Sequence, residues 1–202
     1  MDFSILYHVF WRPREVFKQF VGKTRLEPFI LVTVIVVLSG INAYVGLFEE
    51  IIKHPVLQIV GLVQSLLFLL LSPTVDATII FLIVRFVLKK QSGFVSLVSA
   101  FILCGLPNYI ETFLIVAFGY PAIGLDSFIS LILSHENTQP FLLGMIGTIT
   151  PFFIWVIILW RAAISQIFNL QRRQNVLLVC SLVLINMLLD GFWSQLKCLM
   201  AK

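Results

Sequence analysis

The sequence predicts an all-α polytopic membrane protein, with five transmembrane helices and an N-terminal amphipathic helix lying in the membrane interface. Three observations predict it. The 202 residues are 59% hydrophobic and only 12% charged, with a mean hydropathy of +1.02, and a soluble domain needs more polar surface than that. The apolar residues fall into runs of about 20, the length that crosses a bilayer core. The basic residues alternate between the ends of those runs in one consistent sense.

Residues 1–27 read as a cytoplasmic segment and residues 28–202 as the five-helix transmembrane domain. In the first, Trp11-Arg12-Pro13-Arg14 introduces a short helix, with Pro13 suited to a first helical position. Val16, Phe17, Phe20 and Val21 share one face, and Arg14, Glu15, Lys18 and Gln19 cover the other. Such a helix lies apolar side down, with its basic side among the headgroups. An alternative is a linker packed on the bundle. Basic residues follow the first apolar residues instead of preceding them, so no cleavable signal peptide is expected.

The spans are placed at about 28–47, 64–88, 94–118, 140–161 and 175–194. The apolar stretch 55–88 is too long for one straight crossing, at roughly 50 Å against a core of about 30 Å. Pro73 marks the expected corner or kink there, with 56–70 tilted or interfacial. Gly105 and Pro107 interrupt the third span. Residues 121–139 form a long acidic loop. Pro151 kinks the fourth span, in which Gly144 and Gly147 suit close helix packing. Arg12, Arg14, Lys18, Lys23, Arg25, Arg85, Lys89, Lys90, Arg161, Arg172 and Arg173 fall on one side, against Lys53, Lys197 and Lys202 on the other. This places the N-terminus in the cytoplasm and, with five spans, the C-terminus outside. Arg12, Arg14, Lys18, Lys89, Lys90, Arg172 and Arg173 are the expected contacts to anionic lipid, each contributing about 1 kcal/mol near the surface.

Three carboxylates fall within the spans. Counted from the cytoplasmic ends, Asp76, Asp190 and Glu111 lie roughly 18–26 Å deep. No lysine or arginine shares that depth. A carboxylate so placed tends to be protonated or to hold a cation. Asn108, Thr74, Thr78, Thr112 and Asn186 offer polar partners, and Pro73 and Pro107 free backbone carbonyls nearby. Asp76, Glu111, Asn108 and Asp190 are therefore the candidate intramembrane polar site. The plainer alternative is that Glu111 and Asp190 reach the outer headgroups and that Asp76 is simply a protonated, hydrogen-bonded residue.

Other chemistry is poorly supported. Cys104, Cys180 and Cys198 are far apart, and Cys104 and Cys180 lie inside apolar runs, so they read as small buried hydrophobes. No metal site or cofactor is expected. Glu49, Glu50 and His54 suggest the paired glutamates of intramembrane proteases, but Pro55 breaks the helix and no span holds a histidine. No nucleophile elbow, phosphate loop or dinucleotide fingerprint is present. Nucleic-acid binding is not expected, because the membrane bias already accounts for the basic residues.

The order of features resembles one family. Trp11-Arg12-Pro13-Arg14-Glu15-Val16-Phe17 precedes a first span. A hairpin follows, turned at Gly93-Phe94 and broken at Gly105-Leu106-Pro107. A Trp-containing apolar run then leads to a basic turn, Trp155 to Arg173. This resembles the YIP family, five-span membrane proteins named for their interaction with Ypt/Rab GTPases. The resemblance implies a non-enzymatic protein that acts through lipid or protein contacts, or by self-association, in membrane organisation or trafficking. The N-terminal region is short, like that of a bacterial-type member, so Rab-type GTPase binding is not carried over. The implied location is the bacterial inner (plasma) membrane, with an ER or Golgi membrane as the alternative. The rival expectation is a small transporter or channel, for protons, cations or a lipid, built on the buried carboxylates at kinked helices.

Overall fold

The computed structural model describes residues 4–21, 55–90, 93–118 and 140–200. The expected span 28–47 and the acidic loop 121–139 lie outside the described residues. Eight helices make up the described part: α1 (Ser4–Trp11), α2 (Pro13–Phe20), α3 (Pro55–Phe86), α4 (Phe94–Cys104), α5 (Leu106–Phe118), α6 (Pro140–Gly147), α7 (Pro151–Phe168) and α8 (Arg172–Met200). No strand occurs among the described residues. Among the described residues three segments are long and apolar enough to cross a membrane: Phe94–Glu111, Pro151–Phe168 and Arg172–Leu196.

The Pro73 and Pro151 sites differ from the sequence expectation, and the interruption at Gly105 and Pro107 matches it. α3 runs unbroken through Pro73, which sits inside a 32-residue helix. Proline removes one hydrogen bond there, but the flanking apolar turns keep the helix going. The third span breaks at Gly105, with Pro107 in the first turn of α5, where a missing N–H is tolerated. The Gly105 N–H still reaches the carbonyls of Phe101 and Ile102, both at 3.1 Å. The Tyr109 hydroxyl lies 3.0 Å from where a Gly105 Cβ would stand, so the phenol occupies that space. The fourth span is two helices. α6 stops at Gly147, and α7 starts at Pro151 in its first turn, with Thr150 as N-cap. α7 continues past the span limit at residue 161 to Phe168, close to the Leu170 to which the sequence leads one to expect the helix to run.

Fully buried Ile80, Leu97, Phe101, Leu103, Leu159, Ile164 and Leu182 form the core between α3, α4, α7 and α8. Fully buried Ala77, Ala100 and Ala163 let the helices approach closely. α2 seats Val16 and Phe17 in this core, while Arg12, Arg14 and Lys18 stay exposed. Val16 and Phe17 of its apolar stripe thus meet protein, while Val21 stays exposed. Phe10 of α1 packs on Trp155, ring centroids 6.3 Å apart. Trp155 lies in the second turn of α7, so α1 packs beside the N-terminal part of that helix.

α6 lies against the C-terminal half of α8. A Cβ at Gly144 would stand 2.6 Å from the Ser194 Cβ and 2.8 Å from the Asp190 carbonyl oxygen. One at Gly191 would stand 2.9 Å from the Phe141 carbonyl oxygen. The two backbones touch because neither residue has a side chain. At the other end of the bundle, two turns are tied together. Lys89 and Asn169 both take positive φ, 53° and 47°, and Asn is well suited to such a helix C-cap. The Lys90 ammonium donates to the carbonyls of Phe168 at 3.2 Å and Asn169 at 2.7 Å. It closes the negative end of α7.

Two outcomes are expected from this packing. Gly191→Leu overpacks the α6–α8 contact and lowers stability by about 1–3 kcal/mol, measured by thermal unfolding in detergent, whereas Ser181→Ala on the exposed face of α8 has little effect. Lys90→Met removes the cap of α7 at a cost of about 1 kcal/mol, and Lys90→Arg retains most of it.

Candidate functional site

The polar residues of the spans converge in one region. Counting from the ends of the helices at the Lys90 side, Asp76 lies about three turns into α3. Asn108 and Asn186 lie about four turns in, and Glu111, Thr150 and Asp190 about five. Asp76 is 6% exposed. Its Oδ1 accepts a hydrogen bond from Asn186 Nδ2 at 3.1 Å, and that amide also donates to the Leu182 carbonyl at 3.0 Å. The bond joins α3 to α8.

The break between α6 and α7 supplies the other two partners. Thr150 accepts from the Phe153 N–H at 3.0 Å, which fixes the start of α7. Its hydroxyl donates to Glu111 Oε2 at 3.1 Å. The Thr148 hydroxyl donates to Asp190 Oδ2 at 2.9 Å, with the Gly144 carbonyl at 3.1 Å as its alternative acceptor. Each carboxylate therefore faces a neutral donor. Asp76 and Glu111 have no basic partner among the described residues. The ion pair found there, Arg12 with Glu15 at 3.6 Å, is exposed and remote.

These side chains line a branched cavity. One chamber of about 270 Å³ is bounded by Asp76, Asn108, Tyr109, Phe153, Trp160 and Asn186. A second of about 290 Å³ is bounded by Asn108, Glu111, Thr148, Thr150, Asn186 and Asp190. They share Ser72, Asn108, Phe153 and Asn186. A wider recess at Gly144, Thr148, Asp190 and Trp193 adjoins the second. The space admits several waters, and the polar walls offer each of them partners. Among the described residues no three of His, Cys, Asp and Glu are grouped closely enough to hold a metal ion.

The four residues of the sequence-predicted site line two neighbouring chambers, Asp76 the first, Glu111 and Asp190 the second, and Asn108 both. Of the expected helix breaks, Pro73 borders the first chamber. Pro107 and Pro151 follow the two helix interruptions at its level. Thr74 and Thr78 do not join it: the Thr78 hydroxyl bonds back to the Thr74 carbonyl at 2.7 Å. The side chain of Thr112 lies outside the described set. Thr148 and Thr150 were missed, although Thr-Ile-Thr-Pro is an N-cap followed by a first-turn proline. Arg12, Arg14, Lys18, Lys89, Arg172 and Arg173 are exposed, and Lys90 is half-buried in its cap. Cys104 is buried as expected, whereas Cys180 is exposed on α8. An apolar run reads as core, but this helix turns one apolar face outward.

No family model, curated protein or solved structure matches the chain.

Replacing Thr150 tests how the site is built. Thr150→Val removes both the cap of α7 and the donor to Glu111, and lowers stability by about 1 kcal/mol or slightly more. Thr150→Ser preserves both bonds. Thermal unfolding in detergent separates the two variants.

Proposed function

We propose that this protein is a non-enzymatic integral membrane protein that binds a proton or small cation in the cavity between α3, α5, α7 and α8. The observation carrying this reading is Asp76: nearly fully buried, bonded to a neutral amide, and lining a chamber with no basic residue against it. A carboxylate in such a place is stable when it is protonated or when a cation shares its cavity. Glu111 and Asp190 continue the acidic lining away from the basic turns. Their spacing favours a proton or a hydrated monovalent ion over a chelated divalent metal. The helix interruptions at Gly105 and at Thr148–Thr150 put irregular backbone beside the cavity, where water or an ion satisfies it.

A second reading has its own observation. Only 22% of the Arg172–Leu196 segment is buried, and Leu177, Leu184, Leu189, Phe192 and Leu199 are exposed along α8. That face suits lipid or another transmembrane helix, from a partner or a second copy. With the exposed basic residues meeting anionic headgroups, it fits the contact-based role that the YIP resemblance implies. Under either reading the chain sits in a bacterial inner membrane with its basic turns in the cytoplasm.

Purified protein in liposomes with an entrapped pH dye is expected to carry a proton or cation flux above that of empty liposomes, and Asp76→Asn is expected to abolish it. Flux equal to empty liposomes would overturn the cation reading. The contact reading predicts a co-purifying protein or lipid, or a stable oligomer, in mild detergent. Strict monomers that bring down neither would count against it.

A further inference from the structure

The cavity has unlike ends. At its floor, toward the basic turns, Phe101 stacks on Trp160 with ring centroids 6.1 Å apart. Phe153 holds Trp160 edge-on from the other side at 5.8 Å. All three rings line the Asp76 chamber. Phe101 and Trp160 lie about two helical turns from the Lys90 end, one turn below Asp76. Beneath them come Ile80, Leu97 and Ile164, each fully buried. On that side the Ser99 hydroxyl donates to the Val95 carbonyl at 2.9 Å and the Asn175 Nδ2 to the Arg161 carbonyl at 2.9 Å, while the buried Asn175 Oδ1 meets no protein donor. At the other end the lining turns polar, through Asn108 and Asn186 to Glu111, Thr148 and Asp190, and then widens at Trp193.

We propose that the cavity is a one-ended vestibule, wetted from the Gly144–Trp193 end and closed toward the basic turns by the Phe101–Trp160 stack. This rests on the cavity being hydrated, as the proposed proton or cation site requires. Water enters where polar walls supply two or more partners, and it leaves a narrow apolar constriction dry. Asp76 sits directly above that boundary. An ion reaching it from the polar end stops there unless the rings part. The stack is then the gate, and Asp76 is the last stop before it.

Cysteine accessibility tests this without knowledge of the ligand. Cys104, Cys180 and Cys198 are replaced by alanine or serine, and Asn108→Cys is introduced into right-side-out and inverted vesicles. A membrane-impermeant methanethiosulfonate is the probe, with Arg173→Cys as the marker of the opposite face. Modification of Asn108→Cys only from the face opposite Arg173 is the expected result. Modification from both faces overturns the closure and leaves the cation site standing. Modification from neither face overturns the closure and the hydrated site together. Adding Trp160→Ala is expected to extend labelling to both faces, and labelling that stays one-sided overturns the role of the stack. Where Trp160→Ala does not yield folded protein, Phe101→Leu removes the ring stack and is read in the same way.

Discussion

The contact between Gly144 and Gly191 is the constraint on which the polar half of the bundle depends. Two backbones meet there with no room for a Cβ on either. α6 is therefore bound to α8 more closely than a continuous 140–168 helix would allow if it also packed on α4 and α5. The chain resolves the conflict by stopping at Gly147 and restarting at Pro151. Close packing of small residues is a strong source of helix association where lipid removes the hydrophobic drive. Here it also decides where a second helix breaks.

That break has chemical consequences. Residues 148–150 must satisfy backbone groups outside a helix, and a bundle interior offers few partners. Thr150 turns its oxygen to the Phe153 N–H and its proton to Glu111. Thr148 turns its proton to Asp190. The same two residues thus end a backbone irregularity and anchor two carboxylates. On the opposite wall Asn186 does this for Asp76 while bonding to its own helix. Each acid is positioned by a neutral donor from another helix, so the acids hold the bundle together without the desolvation cost of a buried ion pair.

Much of this was legible in the chain. The runs and their turns follow from hydropathy, and the candidate acids were visible as charges at depth. Asp76, Glu111, Asn108 and Asp190 could be grouped because helical rise converts residue number into depth. What could not be read was the consequence of a proline. Pro73, Pro107 and Pro151 look alike in an apolar run, yet one lies inside an unbroken helix and two begin new helices. The difference is set by packing that a proline in an apolar run does not announce: the Tyr109 phenol one turn on, over Gly105, and Gly191, distant in sequence, against α6. Gly191 itself was overlooked because a lone glycine near the end of a span carries no local sign of its partner. Lys90 read as a lipid contact for a similar reason, since only the fold brings the α7 carbonyls to it.

The two ends of the bundle are built on opposite principles, and this bears on motion. Toward the basic turns, α3, α4, α7 and α8 share a fully buried apolar core, and Lys90 and Asn175 tie their ends across the turns. Breaking that end exposes apolar surface and carbonyls at once, so it is the stiff end. Toward the polar end, helices are short and interrupted, and many side chains stay half-exposed. Contacts there run through single hydroxyl or amide bonds, each contributing about 1 kcal/mol. Local opening is therefore easiest around Thr148–Thr150, at the break between α6 and α7. Such a movement would change the bonds to Glu111 and Asp190 before it disturbed the Asp76–Asn186 pair, so access would change from the polar end inward and reach the aromatic floor last.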